Sequence, residues 1–404
     1  MYTPSHHMCS AGPSHTLCLN VLIVALNETC DGKSWYTSTK QLQLASLEFC
    51  IACRNVQTMH LKVDAQIPRR LLVAVNASPP PEHLCLTRVP RLRARRVTWN
   101  MPTAVELRNP IFAMTDVDCL EFGGAFEGSL EAVAWPRRLK TIEFNPSSPF
   151  NKPIELVEWP ASLEKLVLGT RFNQPIEEVV WPSSLKQLIF HRWDSCFNQP
   201  IRHVAWPTSL QLLAFGDAFN QPIEQATLPA SLQQLTFLGS FNQPIQGVGW
   251  SDWLQRLELG YDFNQSIDNV KWPASLQELT FGWCSDLEDG RMRMHSDFNQ
   301  RIGNSVWPAS LRRLTLGDKF RQSLQGLGTW MPNLEAILLL HYGSDGLGFL
   351  RGIEWPKGLR QLTVFNESSV DGVEIPSTVE VLIIFADLTN FDCAASSSVF
   401  NKMG

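Results

Sequence analysis

Long apolar runs, a strong charge bias and a regular set of cysteines are all missing from this sequence of 404 residues. No stretch reaches the roughly 18 consecutive apolar residues that a membrane helix needs. A formal net charge of -5 provides no general attraction to polyanions. The ten cysteines are spaced irregularly and therefore do not form a disulfide framework. We expect neither a membrane nor a nucleic-acid partner.

The expected location is the cytoplasm. The apolar run at 17–26 is similar to the core of a secretory signal, but no Lys or Arg precedes it. The irregular cysteines also fit a reducing compartment. Secretion remains the alternative. A basic cluster at 88–96 is interpreted as a solvated linker or, alternatively, as an electrostatic handle.

Motifs of catalysis and of metal binding are also missing. The sequence contains no HExxH or GxSxG motif and no dense cluster of His, Asp and Glu. His191, Asp194 and Cys196 could coordinate a metal, but three such residues in one insertion are not a ligand pattern. Residues 31–34 imitate the end of a phosphate-binding loop, although Asn27 stands where its first glycine should lie. We predict no catalytic residue, no metal and no cofactor; an enzyme or a nucleotide binder is the alternative.

What the sequence does contain is an internal repeat. A phrase of the form WPASLxxLxFGxxFNQPI returns through the middle of the chain, and successive anchors are most often 22 or 23 residues apart. Such a period is typical of solenoids rather than of separate globular domains. The anchors are Trp135, Trp159, Trp181, Trp206, Leu228, Trp250, Trp272, Trp307, Trp330 and Trp355.

Each repeat predicts one coil made mainly of strands and turns. Leu188 and Phe190 alternate with other residues as a strand with one buried face requires. Val179 and Trp181 predict a second short strand that ends at the following proline. The two prolines leave no room for a regular helix. We predict a mainly β solenoid, similar to leucine-rich repeats, of about ten coils of about 22 residues.

Residues present in every coil are predicted to hold the stack together. The phenylalanines before Asn are expected to form a spine, and the asparagines a ladder that satisfies turn backbone groups in their own and neighbouring coils. A ligand-binding role for the asparagines is the alternative. The predicted structural residues are Trp159, Trp181, Trp206, Trp250, Trp272, Trp307, Phe172, Phe219, Phe241, Asn173, Asn220 and Asn242.

The phrase SLxxLxFGxxFNQPI with this period resembles the FNIP repeat family, a relative of leucine-rich repeats. The resemblance implies a solenoid fold and a role as a protein-interaction module, with no catalytic residue to carry over. We divide the chain into an N-terminal segment (1–66), degenerate coils with a basic linker (67–112), the solenoid (113–387) and a C-terminal tail (388–404).

Outward strand positions form the first candidate binding surface. Unlike the inward positions they vary from coil to coil, which fits either a solvated face or a shallow groove for a protein or peptide partner. We expect a monomer that binds such a partner. The candidate residues of this strip are Lys165, Gln187, Leu212, Gln234, Arg256, Glu258, Glu278 and Arg313.

Insertions form the second candidate surface. Those at His191–Cys196, Trp283–Asp297 and His341–Phe349 all follow a predicted strand, so they should emerge along one edge of the solenoid. They are either tolerated lengthenings or specificity loops. The candidate residues of the longest insertion are Trp283, Asp286, Glu288, Asp289, Arg291 and Arg293.

The N-terminal segment does not share the repeat. Residues 41–57 fit a short amphipathic helix before a Cys-Arg pair, which faintly resembles the end of an F-box, although the Leu-Pro that begins that family's motif is absent. An F-box would make the protein the substrate-recognition subunit of a ubiquitin ligase, and this is the alternative function.

Overall fold

The computed structural model describes residues 59–64, 94–108, 117–286, 292–339, 350, 352–365 and 373–385. The chain divides into two compact units: unit 1 comprises residues 1–152 and 156–166, and unit 2 comprises residues 153–155 and 167–404. The possible F-box at 41–57 and the possible phosphate-binding segment at 27–34 lie outside the described residues.

Unit 1 contains a parallel ladder of short strands. Its strands are β1 (Met59–Asp64), β2 (Ala94–Asn100), β3 (Cys119–Phe122) and β4 (Thr141–Phe144), each paired with the next. A 3-10 turn, Val105–Arg108, follows β2. Two strands of the ladder therefore precede position 113, where the sequence analysis places the start of the solenoid. Strand β5 (Lys165–Leu168) lies where the two units divide.

Unit 2 continues the same pattern with a strand in each coil. Consecutive ladder strands pair in parallel, and β10 pairs directly with β13 across the insertion that carries the antiparallel hairpin β11–β12. One helical turn, Leu327–Trp330, precedes β14. The strands are β6 (Gln187–Phe190), β7 (Leu212–Phe215), β8 (Gln234–Phe237), β9 (Arg256–Leu259), β10 (Glu278–Phe281), β11 (Trp283–Asp286), β12 (Met292–His295), β13 (Arg313–Leu316), β14 (Ala336–Leu339), β15 (Gln361–Phe365) and β16 (Val381–Phe385).

The prediction of a second strand in each coil, made at Val179–Trp181, is wrong. The backbone there forms a turn and an irregular segment. The N–H group of Val179 donates to the carbonyl of Ile176 in its own coil at 3.3 Å, and that of Leu185 donates to Pro182 at 3.0 Å. Because local turns take up these donors, they are not available for a second ladder between coils.

The core of unit 2 is a stack of phenylalanine rings. Phe197, Phe219 and Phe241 follow one another at centroid distances of 6.1 and 6.2 Å, with nearly parallel rings. The ring centroid of Phe237, the last residue of β8, lies 4.1 Å from that of Phe241. Offset stacking of this kind adds to the stabilisation that burial provides. Phe172, Phe219 and Phe241 are fully buried.

The tryptophans form a second row of stacked rings, nearer to the surface. Trp272 stacks on Trp250 at 6.4 Å and on Trp307 at 5.6 Å. Trp159, Trp181 and Trp272 are buried, whereas Trp206, Trp250 and Trp307 keep part of the ring exposed.

Asparagine side chains join successive coils of unit 2. The side-chain oxygen of Asn173 accepts from the backbone N–H of Asn198 at 2.9 Å and from the amide of Gln199 at 3.0 Å. The same arrangement recurs along the repeats, including those that begin at Asn220 and Asn242. Each asparagine therefore satisfies a backbone donor of the next coil.

These observations confirm the predicted fold class. The chain is a parallel β-solenoid of about 11 coils with almost no helix. Within the described ranges, no helix has the length and apolar character to cross a membrane. The domain boundaries drawn from the sequence remain a prediction.

Candidate binding surface

From β3 to β10 and from β13 to β15, the strip is built by the first and third residues of each strand, since successive side chains of a strand point to opposite faces. In β6 and β8 these positions are half-exposed while the second and fourth are buried. Gln187, Leu212 and Gln234 therefore lie on the accessible side of the ladder. Near the C-terminal end the pattern changes: the outward positions of β14 and β15, Ala336, Leu338, Gln361 and Thr363, are buried.

In unit 1 the charges of the strip are already paired with one another. Arg96 of β2 contacts Glu121 and Glu143, both at 3.3 Å, and Lys165 contacts Glu143 at 2.7 Å.

Among these charged residues lies Cys119, whose thiol pKa rises to about 11, chiefly because burial disfavours the thiolate. That thiol is therefore a poor nucleophile at neutral pH.

Arg96 belongs to the basic cluster at 88–96, a segment in which the sequence shows no repeat. In the structure it occupies an outward position of β2, in register with Cys119. Its guanidinium group lies against two carboxylates, so this arginine is part of the strip rather than of a linker.

In unit 2 a second group of charges surrounds Glu278. Arg256 contacts one of its carboxylate oxygens at 3.0 Å, and Arg313 contacts the other. The three residues lie on adjacent strands, at register-matched first positions of β9, β10 and β13. Both oxygens of Glu278 are therefore engaged by cations of the neighbouring coils.

Glu258 differs from Glu278, although it lies on the adjacent strand. Part of its side chain is exposed, but its Oε2 atom is buried and, among the atoms that the structure describes, has no hydrogen-bond partner. Burial raises the pKa of this carboxyl, and the charge of Glu278 acts in the same direction. Arg192, a hydrogen bond from Thr236 and Arg256 oppose the rise in pKa.

Apart from Gln187, the part of the unit 2 strip before β8 is apolar. Val167, Ile189 and Leu212 are half-exposed, and Ala214 is buried. Leu212 and Ala214 pair in register with Gln234 and Thr236 of the next strand. From β5 to β10, the strip of unit 2 therefore changes from mainly apolar to polar and then to charged.

The insertions leave the strand at its C-terminal end. In the first, the N–H group of Asp194 donates to the carboxylate of Asp217 at 2.9 Å, and that of Cys196 donates to the carbonyl of Thr170 at 2.7 Å. Burial raises the pKa of Asp217. No group of three metal-binding side chains forms anywhere in the described part of the chain.

The longest insertion forms the hairpin β11–β12, in which Trp283 pairs with His295 and Asp286 with Met292. Only the backbone is described at Trp283, Asp286 and Arg293. Glu288, Asp289 and Arg291, and the insertion at 341–349, lie outside the described residues. The role proposed for these loops remains a prediction.

Comparison with known proteins supports the repeat assignment. Three consecutive stretches, 150–192, 197–240 and 241–284, match the family model described as FNIP Repeat. The solenoid therefore carries three FNIP repeats in this part of the chain, as the sequence predicts. None of the curated proteins matches the chain.

Several solved structures similar to this one are described as leucine-rich-repeat proteins. CroV588, described as a novel circular LRR protein, is 25% identical with a TM-score of 0.56; the match covers 84% of this chain and 52% of that one. The chain thus spans about half the length of that relative. The TLR13-ssRNA13 complex, at 13% identity over 86% of this chain and 65% of that chain, has a TM-score of 0.48. The pneumococcal vaccine antigen PcpA, at 11% identity over 81% of this chain and 78% of that chain, has a TM-score of 0.24.

Proposed function

We propose that this protein is a non-catalytic scaffold that binds a protein or peptide partner along the outward strand positions of unit 2. The single observation that carries the proposal is the contrast between the two faces of each strand. Inward positions repeat the same apolar chemistry in every coil, whereas outward positions change from Leu212 to Gln234 to Arg256. A face free to vary in this way can encode the preference for one partner.

The fold supports this function because leucine-rich-repeat solenoids commonly present such a face to a partner. Solenoids of this kind are typically not enzymes. A half-exposed row of side chains on a regular ladder also holds its groups in fixed register, which lowers the entropy lost on binding. Our proposal includes a cytoplasmic location and a monomeric state.

The experiment that tests the proposal is site-specific photocrosslinking in cells. A benzophenone amino acid replaces Gln234, which lies on the strip, in the full-length protein. The matched control carries the same amino acid at Lys271, an exposed residue that lies outside the strands. We expect a discrete crosslinked partner from position 234 and none from position 271.

The opposite pattern would contradict the proposal. If position 271 captures the partner and position 234 captures none, the binding surface lies elsewhere on the solenoid. A silent result from both Gln234 and Leu212 would also count against the strip, since a partner lying across β7 and β8 must pass both positions.

A further inference from the structure

We propose that Glu258 is the anchor of the strip for a Lys or Arg side chain, carried by an extended segment of the partner. This inference rests on the proposed function and names the chemistry that the strip recognises. Its starting point is the Oε2 atom of Glu258, which is buried and has no hydrogen-bond partner in the described part of the chain.

An ionised carboxylate oxygen that is withdrawn from water and lacks a donor is unfavourable. The cations of the neighbouring coils do not remedy this, because Arg256 and Arg313 both contact Glu278. Arg192 favours the ionised form of Glu258, yet no hydrogen bond reaches Oε2. A donor supplied by a partner would remove the unfavourable state, and this gives binding a specific source of free energy.

The side chains in register with Glu258 on the neighbouring strands are short. In register with Glu258 on the neighbouring strands lie Thr236 of β8 and Thr280 of β10, and beyond Thr280 lies Thr315 of β13. One strand beyond Thr236 lies Ala214. Glu258 is therefore the one long side chain in a row of short ones from β7 to β13.

Among the charges that act on Glu258, that of Arg192, an exposed residue of the first insertion, has the largest effect. The incoming cation would take over the electrostatic role of Arg192 and add the missing hydrogen bond.

The apolar part of the strip adds a second requirement. Ala214 lies two strands from Glu258, a separation of about 10 Å at the usual strand spacing. An extended peptide rises about 3.3 Å per residue, so about three residues cover this distance. The partner segment is therefore expected to carry an apolar residue about three positions from its Lys or Arg, to contact Leu212, the half-exposed residue of β7.

The test selects phage-displayed random 12-residue peptides on the full-length protein. Enriched peptides are then synthesised in two forms, with Lys or Arg or with the neutral analogues norleucine or citrulline, and their Kd values are measured. The protein variants are Glu258→Gln and the control Glu224→Gln, which removes the same charge from an exposed residue outside the strip.

We expect peptides with a basic residue about three positions from an apolar one. Their binding should weaken at least about tenfold with Glu258→Gln, a change of 1.4 kcal/mol, and hardly at all with Glu224→Gln. The neutral peptides should bind weakly and should not distinguish Glu258→Gln from the unmodified chain. Arg192→Gln should strengthen binding, because it removes the competing cation.

Two results would overturn the inference. The first contradicts only the role of Glu258, whereas the second also contradicts the proposed function. If enriched peptides lack basic residues, or bind Glu258→Gln as well as the unmodified chain, Glu258 is not the anchor while the strip can still bind a partner. If no peptide is enriched, or binding is insensitive to strip substitutions such as Leu212→Arg, the proposed function fails together with the inference.

Discussion

Gln234 and Leu235 are neighbours in β8, yet the first is half-exposed and the second fully buried. This alternation, repeated in coil after coil, separates side chains that stabilise the fold from those that can serve recognition. The same reasoning applies to the phenylalanines, since each contacts rings of its own coil and of the coils on either side. Two predictions belong to this scale.

Phe241→Ala should lower the free energy of unfolding by about 3–5 kcal/mol, because it leaves a cavity among Phe219, Phe237 and Phe263. Gln234→Ala is the control and should change it by less than about 0.5 kcal/mol. Urea denaturation followed by circular dichroism measures both. Equal losses of stability in the two variants would contradict the inward and outward assignment.

Glu258→Gln should make the folded protein more stable at neutral pH, by about 1 kcal/mol. The folded pKa of Glu258 is raised above its ordinary value of 4.5. The protonated carboxyl therefore contributes stability that is fully present below the ordinary pKa and is lost as the pH rises through the folded pKa. In this pH range the unfolded chain releases its proton more readily than the folded chain does. Arg192, Arg256 and Glu278 are the charged groups that face it.

A series of urea denaturations from acid to neutral pH, on both forms, tests this prediction. The difference in free energy of unfolding between Glu258→Gln and the unmodified chain should be small below the ordinary pKa of a glutamate and should grow above it. If Glu258→Gln is instead the less stable form at neutral pH, the carboxylate is satisfied in the folded protein.

At the scale of the coil, hydrogen bonds between side chains and backbone connect one repeat to the next. Besides the asparagine ladder, Ser231 donates to the carbonyl of Leu210 and Ser275 to that of Leu254, at 2.7 and 2.8 Å. These bonds explain why the repeat keeps Ser before Leu and Asn after Phe, and they fix the register of the strands that carry the strip.

Asn242→Ala should lower the free energy of unfolding by about 1–3 kcal/mol. The substitution removes the acceptor for the backbone N–H of Asn264 and for the amide of Gln265, both at 3.0 Å. Asn304→Ala, at an exposed position outside the ladder, is the matched control and should be nearly silent. Thermal unfolding compares the two variants, and similar melting temperatures would refute a structural role for the ladder.

Removal of residues 283–295 should leave the solenoid folded, because β10 and β13 pair directly across this insertion. We expect a similar circular-dichroism spectrum and melting temperature, and unchanged affinity for any partner that binds the strip. Loss of partner binding without loss of stability would favour the edge loops as the recognition surface instead.

The sequence predicts the repeated features well and the singular ones poorly. Phe, Leu and Asn recur at a fixed period, so their roles in core and ladder follow from stacking. The second strand fails because Val179 has the right propensity, whereas its N–H group is taken by Ile176 in a local turn. The isolated oxygen of Glu258 depends on side chains about 22 residues away in other coils, whose conformations no pattern reveals.

At the scale of the whole molecule, repetition provides stability, and in our proposal variation provides function. A coil cannot bury its aromatic rings alone, so stability is shared among neighbours and substitutions act mainly through adjacent coils. The strip is the part of unit 2 where this requirement is relaxed. A partner lying along it would contact several coils at once, which makes the choice of partner a sum of small contributions.

Hydroxyl-radical footprinting of the full-length protein, with and without a selected peptide, tests the central claim most directly. We predict that bound peptide protects Ile189 and Leu212 from oxidation while Val180 and Val306, which are 78% and 83% exposed outside the strip, remain as reactive as before. Protection of Val180 and Val306, with no change at Ile189 and Leu212, would contradict the account.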